Sequence, residues 1–232
     1  MPFQIAKTIA SSTLLECLRP QCLSCQSTMT KLGSICERCQ EQLIPSPNRC
    51  LFCDLPLTTA RVCIVCRSKR APIDQFQSAF LYREPLPSLI NLWKFQNRPD
   101  LTHLIASLAA NSLQTLLLQN DVVVPMPTHW RRQIWRGFDH IWLLSNALCN
   151  QLQRTPPIPI LKQIKWRPQQ SKISRSLRQR NGHIFEARRS ISNQTVVLID
   201  DIATTGETAR AAAHAIKEAG ARSVALVAIT SA

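Results

Sequence analysis

The stretch Val196-Val-Leu-Ile-Asp200-Asp201-Ile-Ala-Thr204-Thr205-Gly206-Glu207-Thr208 constrains the fold more than any other segment. Four consecutive apolar residues, three of them β-branched, read as a strand buried on both faces. Two carboxylates follow at its carboxyl end, where open parallel sheets bind their ligands. A short Thr/Gly turn then opens a helix over 207–219, with Gly220 placed to close it. Val224 to Ile229 reads as the next buried strand. A strand, a crossover helix and a strand in this order predict a parallel α/β sheet.

The remainder of the chain is consistent with that class. Leu86 to Phe95 and residues 101–119 have helical periodicity. Val122, Val123 and Val124, stopped by Pro125 and Pro127, form a short buried strand. Residues 140–153 read as an amphipathic helix, and Ile158 to Leu161 as the beginning of a strand. Phe80, Leu81 and Tyr82 suggest another strand. Residues 165–182 are polar, basic and aperiodic, and predict an exposed loop. The apolar run Leu101 to Leu118 carries His103, Asn111, Ser112 and Gln114, so it reads as a core helix rather than a membrane span. No secretion signal is legible, and a cytoplasmic location is expected. The division expected is a Cys-rich zinc-binding module at 1–70 and an α/β domain at 71–232.

Ten cysteines in 232 residues need a reason. Eight fall in four C-x-x-C pairs: Cys22/Cys25, Cys36/Cys39, Cys50/Cys53 and Cys63/Cys66. Each pair places two thiolates on one side of a metal, and two pairs complete a tetrahedral zinc site. A disulfide framework fits poorly without a secretory context. Sequence alone leaves open whether the pairs combine sequentially or interleaved, and whether one or two Zn²⁺ are bound. With four thiolates and no open position, such sites are structural. Cys17 and Cys149 remain, and Cys149 reads as a core residue.

The charge is concentrated. The formal net charge is +14, and residues 131–189 hold thirteen Lys and Arg against two acids, Asp139 and Glu186. Such density suits an anion: pyrophosphate, a nucleotide or a nucleic-acid backbone. Composition does not separate these.

Next to a phosphate-binding turn, two adjacent acids would repel the ligand unless they meet sugar hydroxyls or a metal. Acids for the hydroxyls and a helix-opening turn for the phosphate describe a ribose 5-phosphate site. The thirteen residues resemble the phosphoribosyl pyrophosphate (PRPP) motif of type I phosphoribosyltransferases at every position. The resemblance implies that Asp200 and Asp201 hold the ribose 2′- and 3′-hydroxyls. It further implies that Ala203, Thr204, Thr205, Gly206, Glu207 and Thr208 hold the 5′-phosphate.

From about Leu14 to Ile229 the chain resembles the ComF family, a zinc-bearing branch of those enzymes. The similarity lies in the order of blocks: the Cys pairs, Tyr82 with Leu89 to Phe95, Val123 to Pro127 with Arg132 and Arg136-Gly137-Phe138, then Gln170, Ser174, Arg175, Arg178, Asn181 and Phe185. Two positions depart from the pattern. Asp139-His140 stand where Asn-Gln is usual, and Arg167 stands where Thr is usual.

The resemblance implies pentosyl transfer from PRPP to an acceptor, with Mg²⁺ on the pyrophosphate. Asp200, Asp201, Lys94 and Arg136 are the candidate catalytic residues, with Arg178 as a further cation for the leaving group. It also implies a role in DNA uptake, with competence-machinery proteins as partners. A competing reading is a non-catalytic binder of single-stranded DNA, using Arg131, Arg132, Arg136, Arg175 and Arg178 among Trp130, Trp135, Phe138 and Trp166. At least two of those four aromatics are expected to be buried. A third reading is a PRPP-sensing regulator.

Overall fold

The computed structural model describes residues 20–30, 33–52, 55–59, 62–68, 72–164 and 184–231. Arg175, Arg178, Cys53, Cys17 and Trp166 lie outside them, as do the loop expected at 165–182 and the whole block from Gln170 to Asn181. Short helices α1 (Glu37–Glu41) and α2 (Ile64–Ser68) precede strand β1 (Gln75–Leu81). Then come α3 (Leu86–Phe95), α4 (Leu101–Gln119) and β2 (Val122–Pro125). Helices α5 (Trp130–Arg136) and α6 (His140–Gln151) lead to the ribbon strands β3 (Leu161–Gln163) and β4 (Phe185–Ala187). The chain closes with β5 (Thr195–Ala203), α7 (Glu207–Glu218) and β6 (Ser223–Ser231).

The central sheet has the order β1-β6-β5-β2 with every pair parallel. Strand alternation divides the core between its two faces. Val196 and Leu198 point with Val224 and Leu226 toward α7, where Ala209, Ala212, Ala213 and Ile216 pack. Val197 and Ile199 point with Val123 and Val227 toward α4 and α6, meeting Ile105, Ala109, Leu113, Leu144 and Leu148. Burial on both sides explains the unbroken apolar runs. Helix α4 passes the length and hydropathy test for a membrane span, but half of that stretch is buried and it packs as a core helix here. Cys149 is buried in the same core.

Several elements reach further than the sequence suggests. β5 continues through Asp200 and Asp201 to Ala203 because β6 pairs with it along that length, Asp200 beside Ala228. β1 spans 75–81 because it pairs with β6 from Gln75 to Leu81. Helix α5 was not expected, since its basic and aromatic residues carry no apolar period. Local chemistry makes it: His129 Nδ1 accepts from the Arg131 N–H at 3.2 Å, and Gly137 ends it at φ 78°. Residues 44–46 bond to the outer edge of β1, through Ser46 N–H to Ala79 O and Leu81 N–H to Ile44 O. That segment covers an edge otherwise open to pairing.

Candidate functional site

β2 and β5 lie side by side, so their carboxyl ends open into one cleft of about 470 Å³. From β5 and its turn come Asp200, Asp201, Ala203, Thr204, Thr205, Gly206, Glu207 and Thr208; from β2 come Met126 to His129; from α3 comes Lys94; and from the region of α5 and α6 come Arg136 and His140. The turn reaches α7 through Gly206 in the left-handed region at φ 68°, and no side chain caps the helix. Its first N–H groups therefore face the cleft mouth with the positive end of the helix dipole behind them.

The acids at the end of β5 are unlike each other. Asp201 is buried, and its Oδ2 takes an ion pair from Lys94 Nζ and a hydrogen bond from His140 Nε2 at 2.8 Å. Its Oδ1 accepts from Ile202 N–H at 2.6 Å. Burial alone would raise its pKa, but the Lys94 ammonium and the His140 ring outweigh burial and hold Asp201 well below the usual carboxylate range. Among the described residues no ion pair is made by Asp200, although the Lys94 charge acts on it more weakly. Burial first, and the Asp201 charge second, push it up to about 7. One acid is fixed as an anion and the other is poised to lose its proton near neutrality, a split expected where two carboxyls share a site.

Lys94 can reach Asp201 because α3 turns its apolar face inward. Trp93 beside it is fully buried, and its Nε1–H donates to Thr102 Oγ1 at 3.0 Å. That ring also meets His140 edge-on at 5.2 Å. Burial lowers the His140 pKa, partly offset by Asp201. The neutral ring then has one donor and one acceptor. Nε2–H serves Asp201, and Nδ1 accepts from Arg136 Nη1 at 2.9 Å. Arg136, His140, Asp201 and Lys94 form one chain of contacts. Lys94 lines the cleft and pairs there with Asp201, an acid of the ribose motif.

The Asp139 departure has a structural explanation. Asp139 caps α6, taking Trp142 N–H on Oδ1 at 3.1 Å and Gln133 Nε2–H on Oδ2 at 2.7 Å. Its charge is spent on a helix N-terminus rather than aimed at the cleft.

Outside the cleft, Trp130, Ile134 and Trp135 are 57%, 73% and 69% exposed, and Phe138 is half-buried. Of the four aromatics of which at least two were expected to be buried, Trp130 and Trp135 are exposed, Phe138 packs partly buried against the core, and Trp166 lies outside the described residues. Arg131 sits 5.3 Å from the Trp130 ring and Arg136 5.3 Å from Phe95. Arg132 lies on the same helix.

The cysteines separate into sequential clusters. The ligand atoms of Cys22, Cys25, Cys36 and Cys39 lie within 4.8 Å of one another, and so do those of Cys50, Cys63 and Cys66. In the first, Cys22 and Cys39 Sγ are 3.7 Å apart and Cys25 and Cys36 Sγ 3.6 Å. A zinc ion with bonds of about 2.3 Å needs tetrahedral edges of about 3.8 Å, so the donor set fits. The Cys36 N–H donates to Cys22 Sγ at 3.3 Å. Burial pushes Cys39 up to about 12, while Cys25, beside Ser27, falls to about 6. Four thiolates at this spacing call for a cation. The first cluster packs on Leu89 of α3 and Leu108 of α4, and the second joins the core on the α7 face.

Sequence reasoning gave no sign of His129, Gln163, Ile184 or Phe185 in the cleft wall. It also missed Leu51 and Phe52, which lie against Gly206. Met126 and Thr128 were within reach, since they follow the apolar strand that ends at Pro125.

A parallel sheet with paired acids and a helix-opening turn at its carboxyl end is the architecture of a phosphoribosyltransferase-like domain. Residues 144–231, from within α6 to the end of β6, match the family model described as the phosphoribosyl transferase domain. No curated protein matches the chain.

Proposed function

We propose that the protein is a phosphoribosyltransferase of the ComF family, binding PRPP at the carboxyl ends of β2 and β5. The observation that carries this reading is the placing of Asp200, Asp201 and the uncapped turn 204–208 in one cleft with three nitrogen-bearing side chains, Lys94, Arg136 and His140. The ComF assignment and a role in DNA uptake beside competence proteins in the cytoplasm rest on the order of the sequence blocks.

In this mechanism the turn binds the 5′-phosphate through backbone N–H groups and the hydroxyls of Thr204, Thr205 and Thr208. Asp201, held ionised by Lys94 and His140, accepts a ribose hydroxyl hydrogen bond. Asp200 accepts the other as its proton leaves. Arg136 lies on the cleft wall, where charge builds on the departing pyrophosphate. Mg²⁺, when bound with PRPP, supplies charge neutralisation, and Asp200 offers a hard oxygen donor suited to it. The first Cys cluster, and the second with its sequence partner Cys53, hold structural Zn²⁺.

The test is calorimetric titration with PRPP and Mg²⁺. Wild type binds and Asp200→Asn/Asp201→Asn, still folded by circular dichroism, does not. Full-affinity binding by the double variant rejects the ribose assignment. Metal analysis after purification under reducing conditions returns two zinc per chain.

A second reading is favoured by one observation, the exposed Trp130 and Trp135 with Arg131 and Arg136 beside aromatic rings. Single-stranded DNA would stack on such a surface. Oligonucleotide affinity that falls steeply with salt and drops in Trp135→Ala supports it. No binding at low salt removes it.

A further inference from the structure

The second cysteine cluster touches the phosphate turn. A Cβ placed on Gly206 would lie 2.9 Å from Leu51 Cγ and 3.1 Å from Phe52 Cε1. Leu51 and Phe52 directly follow Cys50, so the metal knuckle itself forms the wall behind the turn. The Arg210 guanidinium, one helical turn into α7, lies 4.6 Å over the Phe52 ring. Cys50, Leu51 and Cys63 are buried in one core with Ala203, Ala209 and Ala212, which flank the turn on both sides. Cys50 N–H is fixed by Leu55 O at 2.9 Å, and Cys66 N–H by Cys63 Sγ at 3.4 Å.

A metal at the three clustered thiols would tie Cys50 to Cys63 and Cys66 and so restrain Leu51 and Phe52, which directly follow Cys50. The turn is glycine-hinged and has no side-chain cap of its own. Leu51 and Phe52 are the nearest side chains to it at Gly206. Among the described residues, the first cluster contributes none of the atoms nearest a Cβ at Gly206. Its neighbours are Ile35, Leu89 and Leu108, and the latter two belong to the helices on the opposite face of the sheet.

We propose that Leu51 and Phe52 are positioning residues for the phosphate turn, and that metal at Cys50, Cys63 and Cys66 acts through them, so that metal occupancy and phosphoribosyl binding are coupled. The inference rests on the phosphate assignment of residues 204–208 made above. Coupling of this kind is reciprocal: whatever factor the metal adds to ligand affinity, the ligand adds to metal affinity.

The experiment uses the full zinc-loaded chain and compares Cys66→Ser with Cys25→Ser. Amide hydrogen exchange over 203–210 is followed first. It should rise about tenfold in Cys66→Ser and stay within about twofold in Cys25→Ser. PRPP affinity should fall by a similar factor in Cys66→Ser alone. PRPP should also slow zinc transfer to a chromophoric chelator from one of the two sites. Phe52→Leu, which keeps all the thiols and an apolar side chain, should retain its zinc and still weaken PRPP several-fold. This arm holds the test open if Cys66→Ser does not fold.

Unchanged exchange at 203–210 overturns the proposal. So does a rise equally large in Cys25→Ser, or one spread evenly over α4 and β1. Exchange that responds in a wild-type chain that binds no PRPP leaves the metal-to-turn link standing and rejects the phosphate assignment instead.

Discussion

Replacing Lys94 by Met tests the arrangement of charges in the cleft. Lys94 and Asp201 are 8% and 7% exposed, so the pair is buried well beyond the reach of solvent screening. Removing one partner of a buried pair costs about 3–5 kcal/mol, because the other charge is left behind. Here His140 still donates to Asp201, which places the expected loss near the low end, about 3 kcal/mol. At about 2–4 °C per kcal/mol for a chain of this size, the melting temperature should fall by roughly 6–12 °C. The sign of the pH effect follows from Asp201. A carboxyl held below its unfolded value stabilises the native state above about pH 4 and loses that contribution as pH falls further. The deficit of Lys94→Met should therefore be greatest at neutral pH and shrink in acid. Urea unfolding of Lys94→Met, Asp201→Asn and the double variant at pH 7 measures it. The double variant should recover at least half of the single loss, since no orphaned charge remains. A Lys94→Met cost under about 1 kcal/mol, the range of exposed pairs, would refute the reasoning, and so would strict additivity.

Three further outcomes follow from the same geometry. Asp200, pushed up to about 7, binds a proton in the native state that it has lost when unfolded. Its contribution to stability without ligand therefore declines from about pH 4 to about pH 7. Buried neutral His140 has the opposite sign below about pH 6.5, so the comparison is between wild type and Asp200→Asn, which should lack the Asp200 decline in urea midpoints across that range. A wild-type and variant pH profile of the same slope would contradict the assignment. Gly206→Ala should cost at least about 1–2 kcal/mol for its φ of 68°, and adding Leu51→Ala to it should relieve the contact but not the backbone term; thermal unfolding of the two single variants and the double separates them. Asp139→Ala should lose about 1 kcal/mol with the α6 cap and leave PRPP affinity unchanged, whereas tighter PRPP binding would place Asp139 at the anion after all.

Much of the fold was legible because the relevant signals are local. Helices α3 and α4 match their periodic segments, Leu86–Phe95 and Leu101–Gln119. The Asp pair, the turn and the strand before them sit in one continuous stretch, so their juxtaposition needed no long-range contact. The Cys pairs pointed to metal-ligand clusters by their spacing alone, and seven of the eight cysteines gather in two clusters that could hold a metal. Helix α5 was not legible, because its ends are made by a histidine acceptor and a left-handed glycine around a segment with no apolar period.

The sequence by itself determined the chemistry at the end of β5. The apolar run ends where the acids begin, and a turn rich in threonine and glycine opens the next helix. Only the tertiary structure decided which acid is charged, since Lys94 and His140 come from α3 and α6, more than sixty residues from Asp201 in one case and more than a hundred in the other. It also decided that the cysteines cluster sequentially on opposite faces of the sheet, and that Leu51 and Phe52 stand behind Gly206. The physical reason is the same in each case. Burial and pairing depend on which surfaces the packed layers bring together, and no local pattern of residues records that.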